Sequence, residues 1–335
     1  MTVALVTGVA GQDGSYLAER LVADGVEVHG LVRAGERPVG LPGGVRLHVG
    51  DLRDDEGLAD LVRRTEPDEV YNLGGVSSVA YSWRHPVETG AVSGLGAVAL
   101  YDAAWRLQED SGRAVRVLQA SSAEIFGTPD RAPQDEGTAV RPSSPYGAAK
   151  AYAHQMAAVY RARGLGVSTC VLYNHESPRR PETFVTRKIT AAAARIAFRG
   201  TGTLALGNLD ARRDWGWAPD YVDAMVRAAR HPVADDFVVA SGTTRSVADF
   251  VAAAFAAAGV DDWEPHVTVD ARFVRPADPA EQVGDARRAR DVLGWGGTLA
   301  FDEIVARMVR HDLGLLRTPT RSRPDAGSCL DVSPR

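Results

Sequence analysis

Tyr146 and Lys150 stand four residues apart in SSPYGAAKAY, a spacing that sets both on one face of a helix, one turn from each other. Among the 38 lysines and arginines of the chain only two are lysine, Lys150 and Lys188. Guanidinium is a wide, delocalised fork that keeps its proton, whereas ammonium is a compact charge on a thin stem. A chain that writes arginine for nearly every cation therefore marks these two positions as ones where arginine will not substitute; the alternative is chance survival on a solvated helix face. QASSAEIFG adds Ser122 and Glu124 at the end of a predicted strand. A phenol serves as a base near neutral pH only where its pKa falls, and a cationic neighbour lowers it. Ser122, Glu124, Tyr146 and Lys150 are the candidate catalytic residues.

A second pattern supplies a partner for that chemistry. VTGVAGQDGSYLAERL places Gly8, Gly11 and Gly14 at three-residue spacing between a first strand and a helix, with Gln12 and Asp13 in the turn. Glycines at that junction allow a tight turn and close approach, and the helix start offers free N–H groups and partial positive charge, which suits a dinucleotide pyrophosphate. The second strand, VEVHGLVR, ends in Val32 and Arg33 with no carboxylate for ribose hydroxyls. An arginine there suits a 2′-phosphate, so NADP is expected over NAD. Asp51 and Leu52 are placed to flank the adenine, and Leu73, Gly74, Gly75 and Ser77 to line the middle of the cofactor. Lys150 is expected to reach along the cofactor ribose beside Tyr146, and an oxidised nicotinamide would lower the phenol pKa further.

These residues need a frame. TVALVTG, residues 12–24, VEVHGLV, RLHVGD, residues 54–64, DEVYNLGG, residues 86–109 and AVRVLQASS alternate short β-branched runs with amphipathic stretches, which predicts βαβ units and a parallel sheet. VRVLQA and VSTCVLYN read as buried strands. After residue 175 the texture turns basic and polar, then Ala-rich, with one more strand at DFVVAS and helices to about Leu316. The expected fold is α/β, a Rossmann-type doubly wound parallel sheet with a smaller interleaved α/β substrate-binding lobe. Residues 1–175 with about 215–242 make the cofactor domain, and about 176–214 with 243–316 the second lobe. Residues 317–335 have the Pro, Ser and Arg content of a disordered tail.

At 335 residues the chain exceeds the usual single-core limit of roughly 250 to 300, which agrees with two lobes. A net charge of -5 argues against nucleic-acid binding. There is no charged leader and no run near 18 apolar residues, so no membrane association is expected, and a cytoplasmic site is. Cys170 and Cys329 share no motif spacing, which predicts neither a metal site nor a disulfide framework.

A hydroxyl, phenol and lysine set beside a glycine-rich first turn resembles the short-chain dehydrogenase/reductase superfamily in its extended, sugar-nucleotide branch. GQDGSYLAE, SSPYGAAK, NHESPRRPETFVTRKIT, LGNLDARRDWG and RPAD, in this order, are similar to the GDP-mannose 4,6-dehydratases over nearly the whole chain outside the tail. The resemblance implies GDP-mannose as substrate, dehydrated to GDP-4-keto-6-deoxymannose by oxidation at C4, loss of water across C5 and C6, and hydride return to C6. It carries the family's Thr, Glu, Tyr and Lys onto Ser122, Glu124, Tyr146 and Lys150, and brings His175 and Arg180 to the cofactor. Ser77, Asn174, Glu176, Arg187, Lys188, Arg213 and Arg275 are implied at the nucleotide sugar, and a homodimer or homotetramer as the assembly. Two departures stand out. Ala123 occupies a position where the family often has a second hydroxyl, and AGERPVGLPGG after Arg33 is shorter than the family's loop, without its paired arginine. Two other functions stay open on these residues: a GDP-sugar 4-keto reductase or epimerase of the same branch, and a non-catalytic NADP-binding regulator. Glu124 speaks for dehydration, because a 4-keto reductase needs no base for C5.

Overall fold

The structure is a computed structural model that describes residues 1–36, 38, 40–273 and 279–317. Its first part alternates strand and helix: β1 (Val3–Thr7), α1 (Gln12–Ala23), β2 (Glu27–Val32), β3 (Arg46–Val49), α2 (Asp55–Thr65), β4 (Glu69–Asn72), the short α3 (Val79–Arg84) and α4 (Pro86–Gly90), α5 (Gly96–Ser111), β5 (Arg116–Ser122), α6 (Pro145–Ala162) and β6 (Gly166–Leu172). The remainder comprises β7 (Asn174–Glu176), α7 (Val185–Arg199), β8 (Leu204–Leu206), β9 (Arg212–Trp217), α8 (Ala218–Arg230), β10 (Asp236–Val239), β11 (Thr244–Ser246), α9 (Val247–Ala258), β12 (Val267–Val269), β13 (Glu281–Gln282), α10 (Arg287–Leu293) and α11 (Phe301–Arg317).

Seven strands form one parallel sheet in the order β10-β6-β5-β4-β1-β2-β3. Strands joined by helices must run parallel, and buried on both faces they carry the continuous apolar runs read from the sequence. The strand order reverses between β1 and β4, the place where such sheets bind ligands. One apolar core lies on each face. Leu17, Leu21, Val28, Leu118, Val222 and Met225 belong to one, and Leu58, Val70, Leu100, Val117 and Val167 to the other.

The chain leaves this sheet after β6 and returns for β10. The intervening and later segments build a small sheet of β11, β9, β13 and β7 and a β12-β8 pair, over a third core that holds Ile189, Trp215, Phe250, Val251 and Met308. β9 belongs wholly to the small sheet, so the return to the large one begins at α8, whose Ala228 carbonyl accepts a bond from the Ser168 hydroxyl on β6. The helix expected over residues 86–109 is broken by a π-helical turn at Ala91–Leu95. Small residues permit it: Gly94 packs under Tyr152, and a side chain on Gly96 would collide with the Leu52 carbonyl at 2.5 Å. Such turns recur at functional sites, and here Ser93 within it accepts a bond from the Val76 N–H at 2.9 Å.

Candidate active site

The first βα turn makes a cradle at the sheet's reversal point. Gly8 has φ +68°, a conformation that L side chains rarely adopt, and a Cβ there would lie 2.8 Å from the Gly74 nitrogen on the neighbouring loop. At Gly14 a Cβ would lie 2.2 Å from the Gly8 carbonyl oxygen. The backbone therefore presses together here as closely as glycine allows, and Gly11 stands at the start of α1 without a side-chain cap. A cleft of about 290 Å³ opens beside Gly11 and Gln12, bounded by Glu36 and Arg179. The helix start, the close-packed glycines and the cleft fit a dinucleotide pyrophosphate.

Gln12 and Asp13 reach across from α1 to β7. The Gln12 amide donates to the His175 carbonyl at 3.1 Å and accepts from the Ser177 hydroxyl at 2.9 Å. His175 meets the Tyr173 carbonyl with Nδ1 at 2.6 Å and the Asp13 carboxylate with Nε2 at 2.9 Å, stacked on the Tyr221 ring. A carbonyl can only accept, so Nδ1 carries a proton, and the carboxylate draws a second proton to Nε2. The ring pKa accordingly rises: burial pulls it down, but the charge and hydrogen bond of Asp13 outweigh burial. Burial likewise pushes Asp13 up, and His175 with Arg180 holds it below its usual value.

The catalytic candidates meet at the carboxyl end of β5. Ser144 caps α6 by accepting from the Gly147 N–H at 3.0 Å, with Pro145 in the first turn. Gly147 lets that turn approach closely, since a Cβ there would lie 2.5 Å from the Glu124 carbonyl oxygen. Tyr146 is thereby held where the Ser122 hydroxyl and the Glu124 carboxylate both act on its phenol. The phenol is pushed up to about 12, first by burial and also by Glu124, against the Ser122 bond and the Arg180 charge. A lowered phenol pKa is thus not a property of the chain by itself. Lys150 does not act on Tyr146 directly: its ammonium donates to the Ala120 carbonyl at 2.8 Å, and the Nζ is 3.8 Å from where a Cβ on Gly75 would sit. Burial pulls its pKa down to about 8, with Asp13 opposing.

At the rim, Arg53 grips Asp51 at 2.9 and 2.5 Å and holds its carboxyl down to about 2. Leu52 packs on Gly74, and Ser77 is exposed beside Ser78, the cap of α3. Arg33 is 79% exposed. A carboxylate does reach that strand end, contrary to the reading of the strand alone, because the Ala34–Gly35 turn folds Glu36 back: it accepts from the Arg33 N–H at 3.1 Å and lies 3.6 Å from its guanidinium.

The residues expected at the nucleotide sugar are not all brought together. Asn174 lies on β7 opposite Trp215. Buried Glu176 accepts from the Thr186 hydroxyl at 2.6 Å, and Arg180 lies 3.4 Å from it with its guanidinium over the Phe184 ring. Arg187 is held in a buried ion pair with Asp312 of α11 at 2.6 Å, with its Nε donating to the Pro178 carbonyl at 3.3 Å. Arg213 donates to the carbonyls of Arg212 and Pro279, both at 2.8 Å. Lys188 donates to the Ala205 carbonyl at 2.6 Å and stands over the Phe273 ring. Arg275 lies outside the described residues, as do residues 318–335 of the expected tail. Three site contacts escaped the sequence reading: Ser82 accepts the Tyr146 N–H at 3.1 Å, Ser93 holds Val76, and Ser177 holds Gln12. Ser82 and Ser93 are single hydroxyls in otherwise ordinary helical segments, which carries no signal.

The family profile described as GDP-mannose 4,6 dehydratase matches residues 5–308. GDP-mannose 4,6 dehydratase 1 of Arabidopsis thaliana is 42% identical over 94% of this chain and 91% of its own length. The human GDP-mannose 4,6 dehydratase is 40% identical over 94% and 92%. Among solved structures, UDP-glucose 4-epimerase of Thermus thermophilus in complex with NAD superposes with a TM-score of 0.82 at 27% identity, covering 93% of this chain and 99% of that one.

Proposed function

The chain belongs to the GDP-mannose 4,6-dehydratase family, and from that premise we propose that it converts GDP-mannose to GDP-4-keto-6-deoxymannose with NADP as a resident cofactor. The glycine cradle with Gln12 and Asp13, the rim residues Asp51 and Leu52, the Leu73–Ser77 loop, Lys150, His175 and Arg180 would hold the cofactor, and Arg33 the 2′-phosphate. When bound, NADP would supply a reversible hydride acceptor for the oxidation at C4 and the reduction at C6. Tyr146 would take the proton of the sugar 4-hydroxyl as its phenolate, a form that needs its pKa of about 12 brought down by the positive charge of a bound oxidised nicotinamide. The resulting 4-ketone acidifies the neighbouring C5 hydrogen, and the Glu124 carboxylate removes it. With Ala123 buried and without a hydroxyl, Glu124 must handle this proton itself or through water. Water leaves from C6 and a proton returns to C5, so no net oxidation occurs.

One observation carries this reading: the Glu124 carboxylate and the Ser122 hydroxyl act on the same phenol, that of Tyr146, at the carboxyl end of β5. A 4-keto reductase has no use for that carboxylate, and a non-catalytic regulator has no use for the phenol and the lysine. Asn174, Lys188 and Arg213 are the proposed contacts of the nucleotide sugar. The exposed apolar side chains Val87, Leu95, Tyr152 and Val159 on the α4–α6 side support a homodimer or homotetramer. No helix among the described residues is long and apolar enough to cross a membrane, and we place the enzyme in the cytoplasm. Incubation with GDP-mannose and NADP, followed by mass measurement of the nucleotide sugar, tests the proposal. Loss of one water supports it, and an unchanged mass or a gain of two hydrogens overturns it.

A further inference from the structure

Lys150 hangs on a carbonyl, and what fixes that carbonyl lies deeper in the sheet. Thr7, Asn72 and Gln119 form a rung across β1, β4 and β5, paired in register Thr7↔Asn72 and Asn72↔Gln119. All three are buried. The Gly74 N–H donates to the Thr7 hydroxyl at 2.9 Å, and Thr7 donates to the Asn72 side-chain oxygen at 2.7 Å. Asn72 passes its amide N–H to the Gln119 side-chain oxygen at 2.8 Å, and Gln119 donates to the Ala120 carbonyl at 2.8 Å. The Ala120 carbonyl is also the acceptor for the Lys150 ammonium.

The direction of this chain is forced from one end. A backbone N–H can only donate, so the Thr7 hydroxyl accepts from Gly74 and turns its own proton to Asn72. That fixes which way the Asn72 amide lies, and it in turn fixes Gln119. The Tyr101 hydroxyl, kept protonated by burial, lies 2.8 Å from the same Gln119 oxygen and shares its one proton between that oxygen and the Ala153 carbonyl at 3.2 Å. A one-way chain of four donors thus runs from the cofactor loop to the carbonyl that holds the lysine. A fully satisfied buried network of this kind fixes a single geometry.

We propose that Gln119 is the positioning residue for Lys150, closing a hydrogen-bond chain from Gly74 that ties the cofactor loop to the catalytic lysine. The claim rests on the dehydratase reading, since it gives Lys150 a task. Around the ammonium, Asp13 on α1 is the charged group that acts on it, and the phenols of Tyr101 and Tyr146 are neutral.

With only two lysines, the full chain labelled with ¹³Cε-lysine gives two side-chain signals, and Lys188→Arg assigns them. Wild-type Lys150 should titrate at about 8. Gln119→Met removes a donor that shares the Ala120 carbonyl and leaves that acceptor to the ammonium alone, which raises the lysine pKa. The midpoint should climb by at least about half a pH unit, and kcat should fall roughly tenfold with KM within about twofold. Thr7→Val, which breaks the chain at its far end, should act in the same direction, and Thr7→Ser should behave as wild type. An unmoved midpoint in folded Gln119→Met overturns the proposal. Should that variant not fold, an unmoved midpoint in Thr7→Val does so, as does a shift shared by Thr7→Ser. The titration needs no substrate, so failure of wild type to dehydrate GDP-mannose would sink the functional reading alone and leave this test standing.

Discussion

An ammonium held at a pKa of about 8, when free lysine lies at 10.5, is a charge the fold does not welcome. Between those two values the unfolded chain keeps a proton that the folded chain has released, so stability rises with pH across that window. Below pH 8 the penalty is constant, about 3 kcal/mol from the size of the shift, less about 1 kcal/mol for the bond to Ala120. Lys150→Met should therefore be more stable than wild type at pH 7 by about 2 kcal/mol by denaturant titration, with the advantage gone above pH 10.5. Lys150→Arg tests the same residue from the other side. A chain that uses arginine for nearly every other cation should tolerate it, yet turnover should drop at least roughly a hundredfold, because a guanidinium is a wide, delocalised fork where the site holds a compact ammonium on the Ala120 carbonyl. Near-wild-type turnover would mean that the scarcity of lysine was a misleading clue. Glu124→Gln should separate the half-reactions: absorbance after rapid mixing should show NADPH accumulating while no dehydrated sugar forms, and wild-type turnover in that variant would remove Glu124 from its role. Spacing and the scarcity of lysine singled out Tyr146 and Lys150 as candidates. The raised phenol pKa was not legible, since burial is a property of the folded environment.

Among the elements, the strand, glycines and helix of the first turn were readable because backbone conformation dictates residue type there. The long sheet strands were readable because burial on both faces writes a continuous apolar run. β7, β8, β11, β12 and β13, two or three residues each, are too short to show a period. The ion pair of Arg187 was hidden for a related reason: the family resemblance implies this arginine at the nucleotide sugar, but its partner Asp312 lies far along the chain on α11. Removing one member of a buried pair strands the other. Arg187→Met should destabilise the chain by about 3 to 5 kcal/mol, and Arg187→Met with Asp312→Leu should recover most of that loss. If Arg187→Met instead keeps its stability and loses only affinity for GDP-mannose, the arginine belongs to the substrate site after all.

The whole molecule was legible as two lobes from its length and from the change of texture after residue 175, but the route between them was not. The sheet closes only when β10 comes back to cover β6, and residues 173–235 lie between the two. During synthesis this route sets an order of events. Once β6 has emerged, its run Val-Ser-Thr-Cys-Val-Leu is an unpaired apolar edge, the kind of surface that recruits other chains. It stays so until the second-lobe segment has been made and β10 follows it out, an interval of several seconds at about 5 to 20 residues per second. A fragment ending near residue 180 should accordingly aggregate on expression. One ending near residue 245, with β10 in place, should be more soluble by light scattering, although it lacks α9, α10 and α11. The nascent enzyme is most exposed in the middle of its own translation: α8 emerges first and covers a face of β6, but the open edge of that strand waits for β10.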